Sequence, residues 1–137
     1  MLLVEDNPTD VFVITEVLER CGLNLQLRVA SNGQDALVYL QNLARDPDTR
    51  GPSLVLLDLN MPKVTGLELL RELRQSPRFS NTPVVVVTSS TAESDRAAVR
   101  ALGAQGYFEK PQDLRCYLEL EKLVKRILHY EYSSEEP

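Results

Sequence analysis

The chain has 137 residues, which suits one domain of ordinary size. Hydrophobic residues make up 43% and charged residues 26%, enough apolar material for a core and too much for a disordered chain. The formal charge of −5 disfavours a direct nucleic-acid partner, which would want a basic face, and no apolar run is long enough to span a membrane.

In chain order, Leu2–Val4 is a short apolar run that turns acidic at Glu5-Asp6. No basic segment precedes it, so no signal peptide is expected and a cytosolic location is. Asn7-Pro8 places an amide cap before a first-turn proline, and Ile14, Val17, Leu18 and Cys21 follow at helical spacing. Leu25–Val29 is the second apolar run. Asn32, three residues ahead of Asp35, opens a second helix with Ala36, Leu40 and Leu43 on one stripe. A polar loop over 45–52 leads to the third run, Ser53–Leu57. Thr65 through Glu68 reads as a capping box ahead of the stripe Gly66, Leu69, Leu70 and Leu73. Pro83–Val87 is the fourth run. Ser90 through Glu93 reads as another capping box, with Ser94, Ala97, Ala98 and Ala101 as the stripe behind it. Gly106–Phe108 is a weaker fifth run. The last helix is expected from about Gln112 to Tyr130, with Leu114, Tyr117, Leu118, Leu120, Val124, Ile127 and Leu128 facing inward. A domain over 1–132 with a polar tail over 133–137 follows. Cys21 and Cys116 have no metal or redox spacing and are expected as buried, reduced thiols.

Five alternations of strand and helix predict an α/β fold with a parallel sheet covered on both faces. In such sheets ligands bind beyond the carboxyl ends of the strands. The residues there are Glu5 and Asp6, then Asp58, then Thr88, Ser89 and Ser90, then Glu109, Lys110 and Pro111. Taken singly, each is more simply a helix cap or a solvated turn residue. Together, three carboxylates on one rim repel one another and favour a proton or a hard divalent cation such as Mg²⁺ or Mn²⁺. Zn²⁺ would want histidine or cysteine, and the sole histidine, His129, lies far along the last helix. Lys110 and Thr88 add an ammonium and a hydroxyl. With a metal they fit stabilisation of a transferring phosphoryl group, and Asp58 is central enough to be its nucleophile.

These residues carry a resemblance. Leu2 through Asn7, Leu56 through Pro62 with Gly66, Val86 through Ser90, and Ala101 through Pro111 resemble the receiver domain of two-component response regulators, in order and spacing. The resemblance implies a flavodoxin-like (βα)5 sheet of order 2-1-3-4-5. More narrowly, the acidic, proline-bearing start, the long loop before the third strand and Asp58-Leu59-Asn60-Met61-Pro62 resemble the stand-alone regulators paired with bacterial phytochromes.

What the resemblance implies is specific. Asp58 would accept a phosphoryl group from the phosphohistidine of a sensor histidine kinase, of phytochrome type in the narrower resemblance. Asp6 and Asp58, with the backbone carbonyl of Asn60, would ligate Mg²⁺, and Glu5 would act mainly through water. Lys110 would pair with one phosphoryl oxygen, and Thr88 would move to hydrogen-bond another. Tyr107 would be the aromatic switch, Ser89 would leave the phosphate room, and Asn60 and Ser90 would set the phosphate lifetime. Lys110-Pro111 would be a cis peptide. The switched face would be the fourth helix, fifth strand and fifth helix, binding a downstream protein or phosphotransfer partner. Ile127 through Tyr132 offers apolar and aromatic area for a homodimer or partner contact, or simply closes the core. The chain would catalyse only its own phosphotransfer and dephosphorylation.

Departing from the family pattern, the first strand begins almost at the first residue, and the polar tail predicts no output domain. Three other readings compete. An adaptor receiver would bind partners without phosphorylation. A haloacid-dehalogenase-like phosphatase would want a second acid where Asn60 stands. A flavodoxin-like nucleotide binder would want a neutral phosphate cradle where Glu5 through Asp10 is acidic.

Overall fold

In the computed structural model, which describes residues 1–20 and 26–134, every residue of the three central strands is buried. These are β1 (Leu2–Val4), β3 (Val55–Leu57) and β4 (Val84–Thr88), flanked by β2 (Arg28–Ala30) and β5 (Gly106–Glu109). All pairs are parallel and the order is β2-β1-β3-β4-β5. The helices between them are α1 (Pro8–Glu19), α2 (Gly33–Arg45), α3 (Gly66–Gln75), α4 (Glu93–Ala101) and α5 (Leu118–Ser134).

Strand alternation divides the core in two. Leu2, Val4, Val55, Leu57, Val84 and Val86 pack against Leu40, Leu70 and Val99 of α2, α3 and α4. Leu3, Leu56, Val85 and Val87 pack on the other side, against Ile14 and Leu18 of α1 and Leu120 and Val124 of α5. Each fully buried Leu or Val contributes about 1.5–3 kcal/mol, so this sheet is the rigid centre of the molecule.

Three helix starts form as their sequences predict. Asn7 accepts from the amides of Thr9 and Asp10, Asn32 from that of Asp35, and Thr65 from that of Glu68. Helix α3 then presses on the strand end before it. A Cβ on Gly66 would lie 2.2 Å from the carbonyl oxygen of Asp58 and 2.7 Å from Cα of Leu59, so only glycine permits this approach.

Helix α4 departs from expectation. Its cap position is Ala92, with no side-chain cap, so the predicted capping box does not form. Ser90 lies two residues before the cap position; its Oγ accepts from the Ala92 amide and donates to Asp95 Oδ2 instead. The buried residue of α4 is Val99, with Leu102 half-buried beyond it, while Ser94, Ala97 and Ala101 face solvent. The larger apolar side chains bury more area than alanine methyl groups, and they set the roll of the helix.

The last helix also differs. Residues Leu114–Tyr117 form a 3-10 turn, capped by Asp113, before α5 begins at Leu118 and runs to Ser134. The tighter turn buries Tyr117 and leaves Cys116 exposed, not buried as expected, and Leu118 is 49% exposed. Cys21 and the start of the predicted Leu25–Val29 run lie outside the described residues, as do residues 135–137. The side chains from His129 to Tyr132, part of the predicted contact area, lie outside the description too.

At the opposite edge of the sheet from the strand ends, Arg74 of α3 donates to four carbonyls: Leu102, Gly103, Ser80 and Thr82. This clamp fixes the C-terminal end of α4. A cavity of about 430 Å³ lies beside it, lined by Arg74, Asn81, Gly103 and Gln105, far from the acidic residues. Among the described residues no helix is long and apolar enough to cross a membrane.

Candidate functional site

Because the strands are parallel, their carboxyl ends share one edge, and ladder hydrogen bonds carry on into the residues beyond. The amide of Glu5 donates to Ala30 O, that of Asp58 to Val4 O, and that of Lys110 to Thr88 O at 2.8 Å. The backbone positions of three predicted site residues are therefore set by the sheet itself.

Glu5 and Asp58 are buried, at 1% and 5% exposure, and Asp6 is exposed. One carboxylate oxygen from each lies within 4.8 Å of the others. The ammonium of Lys110 closes the group. Its Nζ is 2.5 Å from Glu5 Oε1, 2.8 Å from Asp10 Oδ2 and 3.3 Å from Asp58 Oδ2. Asp10 is a member the sequence reading did not single out. Its signal was its place three residues after the Asn7 cap, in the first turn of the helix that rises from the end of β1. Backbone amides hold the remaining oxygens: Asn60 N donates to Asp58 Oδ1 and Asn7 N to Glu5 Oε2, each at 3.3 Å.

Burial pushes the Glu5 carboxyl up to about 7; Lys110 opposes the shift and the Asp58 charge adds to it. Burial alone would lower the Lys110 ammonium, but its contacts with Asp10, Glu5 and Asp58 outweigh that and raise it above its ordinary value. Lys110 is thus charged throughout the physiological range, while Glu5 titrates within it.

The donor set fits a hard divalent cation. It offers carboxylate oxygens and no nitrogen or sulfur ligand, which suits Mg²⁺ or Mn²⁺. Glu5 Oε1 is buried and makes no directed hydrogen bond, its contact with Lys110 being an ion pair without hydrogen-bond geometry. One ammonium against Glu5, Asp10 and Asp58, with Asp6 beside them, leaves negative charge that a cation would relieve.

Thr88 and Tyr107 sit in a second cluster, joined to the first through the backbone of Lys110. Thr88 is fully buried, and its Oγ1 accepts from the Ser90 amide at 3.3 Å. Tyr107 is half-buried, and its hydroxyl donates to the Ser90 carbonyl at 2.9 Å. The Arg96 guanidinium lies over the Tyr107 ring, 4.5 Å from its centroid, and pairs with Glu109. Asn60 and Ser89 are exposed and Ser90 is half-buried. One implied feature is corrected: no cis peptide occurs among the described residues, so Lys110-Pro111 is trans. Trans is the lower-energy isomer of such a bond by about 0.5–1 kcal/mol, and Lys110 reaches its three carboxylates with it.

A five-stranded parallel sheet with an acidic rim closed by a lysine defines a receiver domain. Residues 1–124 match the response regulator receiver domain, and the chain belongs to that family. Among its relatives is the response regulator Rcp1 of Synechocystis sp. PCC 6803, 36% identical over 127 residues, covering 93% of this chain and 84% of Rcp1. The Mn²⁺-bound form of Rcp1 superposes with a TM-score of 0.80 at 34% identity, covering 90% of this chain and 89% of that one. The phosphorylated cyanobacterial phytochrome response regulator RcpA gives the same TM-score and coverage at 31% identity. The bacteriophytochrome response regulator AtBRR gives 0.71 at 37% identity, covering 89% of each chain.

Proposed function

We propose that this chain is a phosphorylation-dependent response regulator in which Asp58 accepts a phosphoryl group from a phosphohistidine on a sensor histidine kinase. The observation that carries the reading is Lys110, whose ammonium lies 3.3 Å from Asp58 Oδ2 within a cluster of carboxylates suited to a divalent cation. An Asp58 carboxylate oxygen attacks phosphorus, the P–N bond to the imidazole breaks as the P–O bond forms, and the leaving nitrogen keeps its electron pair and takes a proton. Lys110 pairs with the anionic phosphoryl oxygens. Asp6, Asp58 and the backbone carbonyl of Asn60 would hold the Mg²⁺, with Glu5 acting mainly through water, and the bound ion would offset phosphoryl charge. Asn60, not an acid, stands two residues after Asp58, so no side chain there serves as a general acid or base for steady turnover. We read the chain as a signalling protein that processes only its own phosphate, with Asn60 and Ser90 setting the phosphate lifetime.

Thr88 and Tyr107 then carry the change to the face made by α4, β5 and α5, where a downstream protein, phosphotransfer partner or second copy would bind. The likeness to regulators named for phytochromes supports a phytochrome-type kinase as the donor, and we place its action in the cytosol. The receiver would comprise residues 1–132, with 133–137 as a tail.

The test is intact-protein mass after exposure to acetyl phosphate, and to a phosphorylated phytochrome-type kinase, with Mg²⁺ or EDTA. One Mg²⁺-dependent adduct, lost in Asp58→Asn, is expected. A chain that takes phosphate from neither donor would favour the adaptor reading and call for a panel of other phosphorylated kinases. Thr88→Ala is expected to keep the adduct and lose at least tenfold of the phosphate-dependent gain in partner affinity, measured by calorimetry. An unchanged gain would remove Thr88 from the switch.

A further inference from the structure

We propose that Asp95 is a positioning residue that restrains the phosphorylation switch by latching Ser90; this rests on Asp58 being the phosphoacceptor. Ser90 is the hub of the loop between β4 and α4. Its amide donates to Thr88 Oγ1 at 3.3 Å and its carbonyl accepts from the Tyr107 hydroxyl at 2.9 Å. Its own hydroxyl accepts from the Ala92 amide at 3.3 Å and donates to Asp95 Oδ2 at 2.5 Å. One residue thus touches both switch side chains, and its strongest bond is to a carboxylate on α4, since a short hydrogen bond to an ionised acceptor is the strongest kind in the set.

That bond has consequences in two directions. The hydroxyl proton of Ser90 is committed to Asp95, so it is withheld from the reacting centre. The Ser90 amide holds the Thr88 hydroxyl by a contact already near the hydrogen-bond limit. If Thr88 moves toward a phosphoryl group on Asp58, Ser90 must release it or follow it, and following strains the bond to Asp95. Helix α4 has no side-chain cap and buries only Val99, so the Ser90–Asp95 bond is a principal tie between this loop and the helix. Breaking it frees the loop without touching Asp58, Lys110 or Thr88.

The experiment compares Asp95→Ala, Asp95→Asn and Glu93→Gln in the full chain. Glu93→Gln removes a charge from the same helix end with no bond to Ser90. Amide exchange at Ser90 and Ala92, read by NMR on the unphosphorylated protein, is expected to speed about fivefold in Asp95→Ala and less in Asp95→Asn, which keeps an acceptor. It should not change in Glu93→Gln. The rate of Asp58 phosphorylation by acetyl phosphate with Mg²⁺ is expected to rise about threefold to tenfold in the same order. Equal effects in Asp95→Asn, Asp95→Ala and Glu93→Gln would mean helix-end charge and not a latch, and would overturn the proposal. So would unchanged exchange at Ser90 and Ala92, or faster exchange with an unchanged rate on a chain that is phosphorylated at Asp58. A wild-type chain never phosphorylated there would overturn the functional reading first, and with it the restraint on switching.

Discussion

Helices α3 and α4 pack on the same side of the sheet and are built in opposite ways. Helix α3 has a bonded cap at Thr65 and buries Gly66, Leu69, Leu70 and Leu73. Its first residue lies against the carbonyl of Asp58. Helix α4 lacks a side-chain cap and buries only Val99. Polar links hold it instead: Ser90 to Asp95, Arg96 to Glu109 and to the Tyr107 ring, and the Arg74 clamp beyond its last residue. Apolar packing fixes the side that carries Asp58, whereas exchangeable hydrogen bonds and ion pairs hold the side proposed to respond. Segments with few buried contacts are the ones that open most readily.

The strongest way to break this comparison is truncation. Leu70→Ala is expected to cost about 3 kcal/mol and Val99→Ala only about 1–2 kcal/mol, by urea denaturation. Equal costs would mean that α4 is packed as firmly as α3.

The next effect is expected on the fixed side, from Glu5. Its folded value of about 7 lies above the ordinary 4.5, so the metal-free fold binds this proton more tightly than the unfolded chain. The resulting stability is complete below about 4.5 and is lost as pH rises through about 7, on the order of 3 kcal/mol in all. Glu5→Gln should remove that component of the pH profile of metal-free protein. A bound cation must displace the proton, so Mg²⁺ affinity is expected to rise between pH 6 and pH 8, with proton release measurable by calorimetry in two buffers. An affinity independent of pH would separate Glu5 from the metal.

The smallest effects are at the helix starts. Thr65→Ala should destabilise by about 1 kcal/mol, while Ala92→Asn should stabilise by about 0.5 kcal/mol, because α4 begins without the bond that α3 already has. A stabilised Ala92→Asn protein that also switches less readily would tie the missing cap to function; thermal midpoints and partner affinity read the two together.

Much of this contrast was legible in the sequence. The run of Leu and Val in β1, β3 and β4 has no alternative to a strand buried on both faces, and the site residues follow from where such strands end. Asn7, Asn32 and Thr65 sit beside unambiguous helical stripes and cap them. Helix α4 was misread because serine and alanine at helical spacing carry little apolar area, so Val99 and Leu102 decided its orientation. Cys116 was misplaced because a 3-10 turn has a different period from the helix it introduces. Asp10 escaped notice because its role depends on Lys110, a hundred residues away, which only the folded sheet brings within 2.8 Å.

One lysine facing Glu5, Asp6, Asp10 and Asp58 leaves the metal-free rim with unbalanced negative charge. Its field extends about 8 Å at physiological ionic strength before salt screens it. Small anionic donors must diffuse in against that field, so added salt, at fixed saturating Mg²⁺, should quicken their encounter with the rim where residual charge persists. A protein donor can present a compensating basic surface around its phosphohistidine. On the proposed function, the rim would thereby sort phosphoryl donors by charge at a distance, before shape or contact has any part in the choice.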